Sequence, residues 1–556
     1  IRHRAQSLPV FFIIGLAGDQ LFRAAGNTMD PTWHPAYQNI QILLSFVVMA
    51  LSVATTYQAQ RNRSNESALS PDHGLMPVWG GIGLGALLFL QLTLFSLPNA
   101  IGGRAGVDYT TFVPLTLAAT LLPLVPWIRH QARAFIGTFD GGLRGWLWML
   151  LIALFIVLGT RVQGLIGGVA LVVTQFMLSL IWWWLVRPQA EKERNFTGLW
   201  MLLAPVIMAL LLVGDIFTYE YAFVRPLTTD APAVNEIVTS LLRGFRGMGF
   251  GLLLLGAFLA ALPMTQSQRR IPWPTGSLRQ SLLLLVLVLA TSAGGAYLAR
   301  PTVIMPTQNV DMIRVGTYNI HNGFNEFFHY DLEAIAQTIS ASGAEIVLLQ
   351  EVDAGRVSSY GVDQSLWLGR RLGMDRRFYP TNEGLQGLAV LSKIPIVFDE
   401  GTLLSSVGNQ TGLQRVQVRP DAGVITVYNT WLSFLLAAED GSIEQPEQEQ
   451  QRQLNEIFAI IAADHPDGNL GRMLLGGTFN NIPSSPLSQQ LRDTGFVDPF
   501  AGLPLELSAT LVRTGQRAQL DYLWYRQPLL ATSAIAIDSH ASDHQMAVIE
   551  LQIVRR

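Results

Sequence analysis

Apolar and polar positions divide the chain into two differently patterned halves. Up to residue 298 the sequence runs in long apolar stretches broken by short polar ones. Nine of them, near 7–25, 38–57, 76–98, 112–128, 145–160, 162–186, 198–219, 246–263 and 280–298, approach the roughly 20 residues that span a bilayer as a helix. The alternative, a buried helical core, fits poorly with a stretch such as SLLLLVLVLATSAGGAYLA, which carries no charge. From residue 313 onward, short β-branched and aromatic runs alternate with segments of helical periodicity. IRVGTYNIH, AEIVLLQEV, GLAVLSKIPI, GVITVYNTWLSF, RMLLGGTFN, AQLDYLWYR and HQMAVIELQIV read as strands. DLEAIAQTISAS reads as a helix, and the Gln/Glu-rich EQPEQEQQRQ runs into an amphipathic helix ending near Ala463. The pattern therefore predicts an all-α polytopic membrane domain over 1–298, a linker over 299–312 with two prolines, and an α/β domain over 313–556.

Composition agrees with this division. Only 14% of the residues are charged, against roughly 25% in soluble proteins, and the mean hydropathy is +0.32. Residues 1–310 hold 20 Lys/Arg and 12 Asp/Glu, whereas residues 311–556 hold 17 and 28. The acidic C-terminal part argues against nucleic acid as a partner, because that binding needs basic surface. The chain has no cysteine, which excludes thiolate metal sites, disulfides and a Cys nucleophile. No cleavable signal peptide is evident, and the first apolar segment can serve as a signal anchor.

Basic residues cluster in alternate loops: Arg2 and Arg4, Arg61 and Arg63, Arg129 to Arg144, Arg187 to Arg194, and Arg269 to Arg279. The positive-inside rule then places the N-terminus in the cytoplasm and, with nine spans, the C-terminal domain outside it. On that topology Asp19, Arg23, Asp30, His34, Asp215, Glu220, Arg243 and Arg246 fall at the outer side of the membrane. Ionisable groups at that depth either pair with each other or line a polar pocket for a lipid headgroup.

Polar residues gather at the ends of the C-terminal strands: Asn319, Glu351, Asn480, Asp521, Asp543 and His544. Singly each is most simply a turn or surface residue. In this order they resemble the endonuclease/exonuclease/phosphatase superfamily of DNase I-like hydrolases. TYNIHNG, LLQEVD, GLAVLSKIPI, QLDYLWY and SDHQMAVIEL are similar to its successive motifs. The resemblance implies a four-layer α/β/β/α sandwich and magnesium-dependent phosphoester hydrolysis. It implies Asn319, Glu351 and Asp543 as metal-shell residues, His544 as catalytic histidine, and Asp521 as its partner.

Two positions depart from the family. The family's Gly-Asp-Phe-Asn turn reads GTFN, so Thr478 stands for the aspartate while Asn480 is kept. The family's Asn-Thr-His reads NTW, so Trp431 stands for a histidine. A threonine hydroxyl does not take a proton from water near neutral pH, and indole is only a donor. Such groups contribute factors of about 10² or more each. Three readings follow: a weakened hydrolase, a headgroup-binding pseudoenzyme, or altered chemistry such as lipid transfer. The whole architecture resembles the eukaryotic ceramide remodelases of GPI-anchored proteins, which implies a membrane lipid or glycolipid as substrate or partner. An extracytoplasmic nuclease and a transporter with a soluble accessory domain are the rival readings.

Overall fold

The computed structural model describes residues 7–33, 37–62, 74–137, 143–189, 193–219, 247–266, 276–301, 303–304, 312–407, 409–434, 444–513 and 516–553, with 237, 238 and 241. The chain divides into two units, one of Ile1–Thr218 with Phe245–Arg300, the other of Tyr219–Gly244 with Pro301–Arg556.

The first unit is helical: α1 (Ser7–Ala25), α2 (Gln38–Asn62), α3 (Val78–Leu90), α4 (Pro98–Ala105), α5 (Tyr109–Leu121), α6 (Pro126–Gly137), α7 (Leu143–Arg161), α8 (Leu165–Ile181), α9 (Thr197–Tyr219), α10 (Gly249–Gln266) and α11 (Leu278–Leu298). Among the described residues, seven are long and apolar enough to cross a membrane: α1, α2, α3 with a π-helical turn to Phe95, α8 with a 3-10 turn to Trp184, α9, α10 and α11. The expected count of nine changes at two places. The fourth stretch is bent by 84° between Tyr109–Leu124 and Pro126–Ala132, and counting this pair as one span gives eight. Pro123 and Pro126 lack the amide hydrogens that a continuous helix needs there. The fifth, Gly145–Arg161, is a shorter apolar helix.

Small residues bring backbones together in this unit. A Cβ at Gly81 or Gly85 of α3 would lie 2.2 or 2.3 Å from the carbonyl oxygens of Trp200 and Ala204 on α9. Such contact is the usual basis of helix association in lipid. Buried amides also stitch helices. Gln20 on α1 donates to Thr120 on α5 (3.0 Å), Gln175 on α8 donates to the same hydroxyl (2.8 Å), and Gln175 and Gln91 exchange hydrogen bonds of 2.9 Å.

The second unit holds two large sheets. Its strands are β1 (Met312–Asn319), β2 (Ile346–Asp353), β3 (Asp375–Asn382), β4 (Gln386–Ser392), β5 (Ile396–Leu403), β6 (Gly412–Val418), β7 (Ile425–Trp431), β8 (Met473–Thr478), β9 (Leu511–Arg513), β10 (Gln516–Ala518), β11 (Asp521–Tyr525), β12 (Leu529–Ile537) and β13 (Met546–Ile553). One sheet has the order β12–β13–β1–β2–β4–β3, the other β11–β8–β7–β6–β5; β9 and β10 pair as a separate hairpin. Ile313, Val315, Ile346 and Leu348 of the first sheet bury against Val416, Val427, Leu474 and Leu523 of the second. Helices α12 (Leu332–Ser342) and α13 (Gln364–Leu372) pack outside the first sheet. Helices α14 (Glu444–Asp464) and α15 (Pro486–Asp493) cover the second through Leu454, Ile457, Ile461, Leu487 and Leu491. The order of layers is helix, sheet, sheet, helix.

Candidate active site

The site forms where β1, β2, β7 and β8 end, β11 begins and the β12–β13 turn returns. β8 is the central piece: Thr478 lies in register with Trp431 of β7 on one side and Asp521 of β11 on the other. The approach depends on Gly477, whose φ is 136° and where a Cβ would sit 1.9 Å from the Thr430 carbonyl oxygen. Asn480 follows with a φ of 53°, a left-handed conformation that asparagine tolerates. On β2 the pairing with β4 shifts between Leu349 and Val352, and Glu351 within that bulge has a φ of 52°. The bulge re-aims the carboxylate relative to a regular strand.

His544 and Asp521 form the buried centre. His544 Nδ1 lies 2.7 Å from Asp521 Oδ2, and the side chains are 4% and 0% exposed. Burial alone would lower the histidine's pKa. Asp521, by charge and hydrogen bond, outweighs it, with Asp543 and Glu351 adding, and holds the imidazole at about 9. The ring is therefore charged at neutral pH, and with Nδ1 on Asp521 its Nε2–H is the proton presented to a ligand. Asp521 is held in turn: the Thr478 hydroxyl donates to its Oδ1 at 2.5 Å, and its backbone amide donates to Thr510 Oγ1 at 3.0 Å.

Thr478 is thus fully buried and spends its proton on Asp521. It orders the His544 partner and presents no base to water. Trp431 is 6% exposed, stacks edge-on with Phe434 at 5.3 Å between centroids, and its buried indole nitrogen has no hydrogen-bond partner among the described residues. The Asn480 amide nitrogen donates to the Leu432 carbonyl at 2.8 Å. That bond ties the β8 turn to the segment after Trp431.

The three expected metal-shell residues come to the same place. Asn319 Nδ2 donates to Glu351 Oε1 at 2.9 Å and reaches Thr478 Oγ1 at 3.4 Å. Burial raises the Glu351 carboxyl above the usual range, Asp543 adds to this, and His321, the Asn319 amide and His544 oppose it. Asp543 is depressed: burial works against this, but His544, His321 and Arg513 outweigh it. Arg513 donates from Nε to Asp543 Oδ2 at 3.0 Å and from Nη2 to the same oxygen. Among the described residues no three Asp, Glu or His side chains converge on one point as a metal cage. Magnesium does not require one, since it binds through one or two carboxylates with waters and substrate phosphate. Glu351, a buried carboxylate, fits such a cation, while Asn319 holds it in place through Nδ2 and accepts from the His321 amide at Oδ1. Asp543 is already engaged by Arg513.

Two site residues escaped the sequence reading. His321 sits inside the TYNIHNG motif, with a φ of 45° and Nδ1 3.6 Å from Asp543 Oδ1. Arg513 lies on the short β9–β10 hairpin, in a segment with no motif. The expected headgroup residues fare differently. Asp19 and Arg23 pair with each other at 3.0 Å on one helical face, and Asp30 accepts from the Thr32 amide at 2.9 Å. Asp215 is buried in α9. His34, Glu220, Arg243 and Arg246 lie outside the described residues.

Residues 316–544 match the family model described as Endonuclease/Exonuclease/phosphatase family. A search of curated proteins finds no match. Among solved structures, the chain is similar to an endonuclease/exonuclease/phosphatase from Beutenbergia cavernae, with 22% identity over 44% of this chain and 72% of that one and a TM-score of 0.35. It is also similar to the human Nocturnin catalytic domain with bound sulfate anion, with 18% identity, 46% and 100% coverage and a TM-score of 0.34. A third is truncated Caenorhabditis elegans TDP2, with 15% identity, 43% and 98% coverage and a TM-score of 0.34.

Proposed function

We propose that this chain, whose residues 316–544 form an endonuclease/exonuclease/phosphatase family domain, binds and hydrolyses a phosphoester of a membrane lipid or glycolipid. The apolar N-terminal helices act as its membrane anchor. The observation that carries the reading is the buried His544–Asp521 pair beside Glu351. A charged imidazole held in one orientation is a preorganised donor to a phosphoryl oxygen, whose negative charge grows in the transition state. Asp521 fixes the ring, and Thr478 fixes Asp521. Magnesium held by Glu351, which Asn319 positions, would supply polarisation of a phosphoryl oxygen. Asn480 secures the turn that lies against this centre. On the positive-inside reading, the N-terminus is cytoplasmic and the domain faces the outer leaflet.

A second reading is favoured by one observation: the Thr478 hydroxyl is committed to Asp521 and takes no proton from water. In that case the domain recognises a phosphorylated headgroup without cutting it.

The test uses the full chain in phospholipid nanodiscs with magnesium, assayed on the lipid and on a soluble bis-aryl phosphodiester. The parent should release product. His544→Gln should lower the rate by about 10²-fold or more, and Glu351→Gln should weaken magnesium binding in calorimetry. No magnesium-dependent product from either substrate would overturn hydrolysis and leave the binding reading.

A further inference from the structure

The site carries three carboxylates, Glu351, Asp521 and Asp543, into which an anionic phosphoester has to fit. Asp521 is offset by His544 and Thr478. Asp543 is offset by His321 at 3.6 Å and by Arg513. These partners are not equivalent. His544 is buried and His321 is 21% exposed, whereas the Arg513 side chain is 51% exposed while its carboxylate partner is 2% exposed. Arg513 therefore reaches from solvent onto a buried acid, the opposite of a sealed structural ion pair.

Only one edge of its guanidinium is used. Nε and Nη2 both address Asp543 Oδ2, and Nη1 has no partner among the described residues. The planar fork has five N–H donors, so the engaged edge holds the group in place while the other faces outward with unspent donors. Nor is the side chain needed to dock its hairpin. The backbone does that: Val512 N donates to Asp543 O at 3.3 Å, Gln545 N donates to Thr510 O at 2.5 Å, and Leu511 bridges to His544. Arg513 is thus a cation held on Asp543, the residue before His544, with hydrogen-bonding capacity to spare.

We propose that Arg513 is a phosphate-binding residue of this site, its outward edge donating to a non-bridging oxygen of a phosphate group seated beside His544. The ligand class is a phosphate ester or diester, from a lipid headgroup or from a free phosphate. The inference rests on the proposed function for the identity of the site, but it concerns binding and does not require turnover. Asp543 then acts mainly as the anchor of Arg513.

The experiment is calorimetric titration of the full chain, in detergent and without magnesium, with inorganic phosphate, alongside Arg513→Gln, Arg513→Lys and Arg513→Ala. A lost charge-assisted hydrogen bond corresponds to about 10- to 100-fold weaker binding, expected for Gln and Ala with a smaller loss for Lys. Added guanidinium chloride at low concentration should partly restore the Ala variant, compared with sodium chloride at equal ionic strength. Should Ala fail to fold, the Gln variant, which keeps two methylenes and a polar end, carries the comparison. Unchanged or tighter phosphate binding in both variants would overturn the proposal, as would a folded parent that binds no phosphate. A parent that binds phosphate through Arg513 yet never hydrolyses an ester would instead sink hydrolysis and leave this inference standing. Repeating the titration with vesicles bearing a phosphomonoester lipid separates a headgroup source from free phosphate.

Discussion

His544 sets the pH behaviour of the site, because its charge is created by the fold. Its pKa rises from an ordinary 6.5 to about 9 under the influence of Asp521, Asp543 and Glu351, against its own burial. A group whose folded pKa is raised contributes stability that is full below its unfolded value and is lost as pH climbs through the folded one. Thermal stability should therefore fall between about pH 6.5 and 9. Asp521→Asn should flatten that fall, since the asparagine no longer favours the imidazolium. Parallel melting curves for parent and variant over this window would contradict the assignment. Thr478 belongs to the same pair. Thr478→Val keeps the shape but strands Asp521 Oδ1 in a fully buried position, at a cost of about 1–3 kcal/mol. An equally stable Val variant would show that the hydroxyl is idle. An aspartate at 478 would face Asp521 across the distance the hydroxyl now bridges, and two adjacent carboxylates resist ionising together. The identities of Asn319, Glu351, Asp521, Asp543 and His544 were legible in the sequence because each sits in a short motif at a strand boundary: Asn319 ends β1, Glu351 lies near the end of β2, Asp521 opens β11, and Asp543 and His544 precede β13. The role of Thr478 was not, because it depends on cross-strand register with Asp521.

At the scale of elements, seven strands were readable from their apolar runs, whereas β3, β5, β6, β9, β10 and β12 were not. β3 (DRRFYPTN) is polar and half-buried along nearly its whole length, and the β9–β10 hairpin has three residues on each side. Neither offers a period to read. The Gln/Glu-rich run that opens the amphipathic helix turns a working face inward. Gln450 on α14 is fully buried and donates to the carbonyls of Ser433 (2.6 Å), Phe479 and Asn480 (both 3.2 Å), while accepting from Asn481 at 2.9 Å. It clamps the segment after Trp431 to the turn that carries Asn480. Gln450→Ala should cost about 1–3 kcal/mol through unsatisfied carbonyls. It should also loosen the Asn480 turn, lowering kcat more than it raises KM. Loss of stability with kinetics unchanged would confine Gln450 to a structural role. In the helical unit the bend after α5 was missed for a related reason: hydropathy sums across Pro123 and Pro126, whereas the helix depends on the amide hydrogens they lack.

For the whole molecule, sidedness decides to which side of a membrane the proposed lipid site would be exposed, and the basic loops argue for an extracytoplasmic domain. The argument depends on the parity of the spans. Nine places the domain opposite the N-terminus, and so does seven, whereas eight, with the bent pair counted, would place both on one side. The absence of cysteine gives a clean way to decide, because any thiol introduced is the only one in the chain. Ala463 is exposed near the end of α14 in the second unit, and Arg61 is exposed at the end of α2. A thiol in place of Ala463 should react with a membrane-impermeant maleimide in intact cells or spheroplasts. One in place of Arg61 should react only after permeabilisation. The reverse pattern would turn the protein over and put the phosphoester site in contact with cytoplasmic lipids. Labelling of both positions in intact cells would separate the parity of the spans from the charge rule. With α2 and the domain both ending outside, the number of spans is even, which makes the bent α5–α6 pair a true crossing, the eighth.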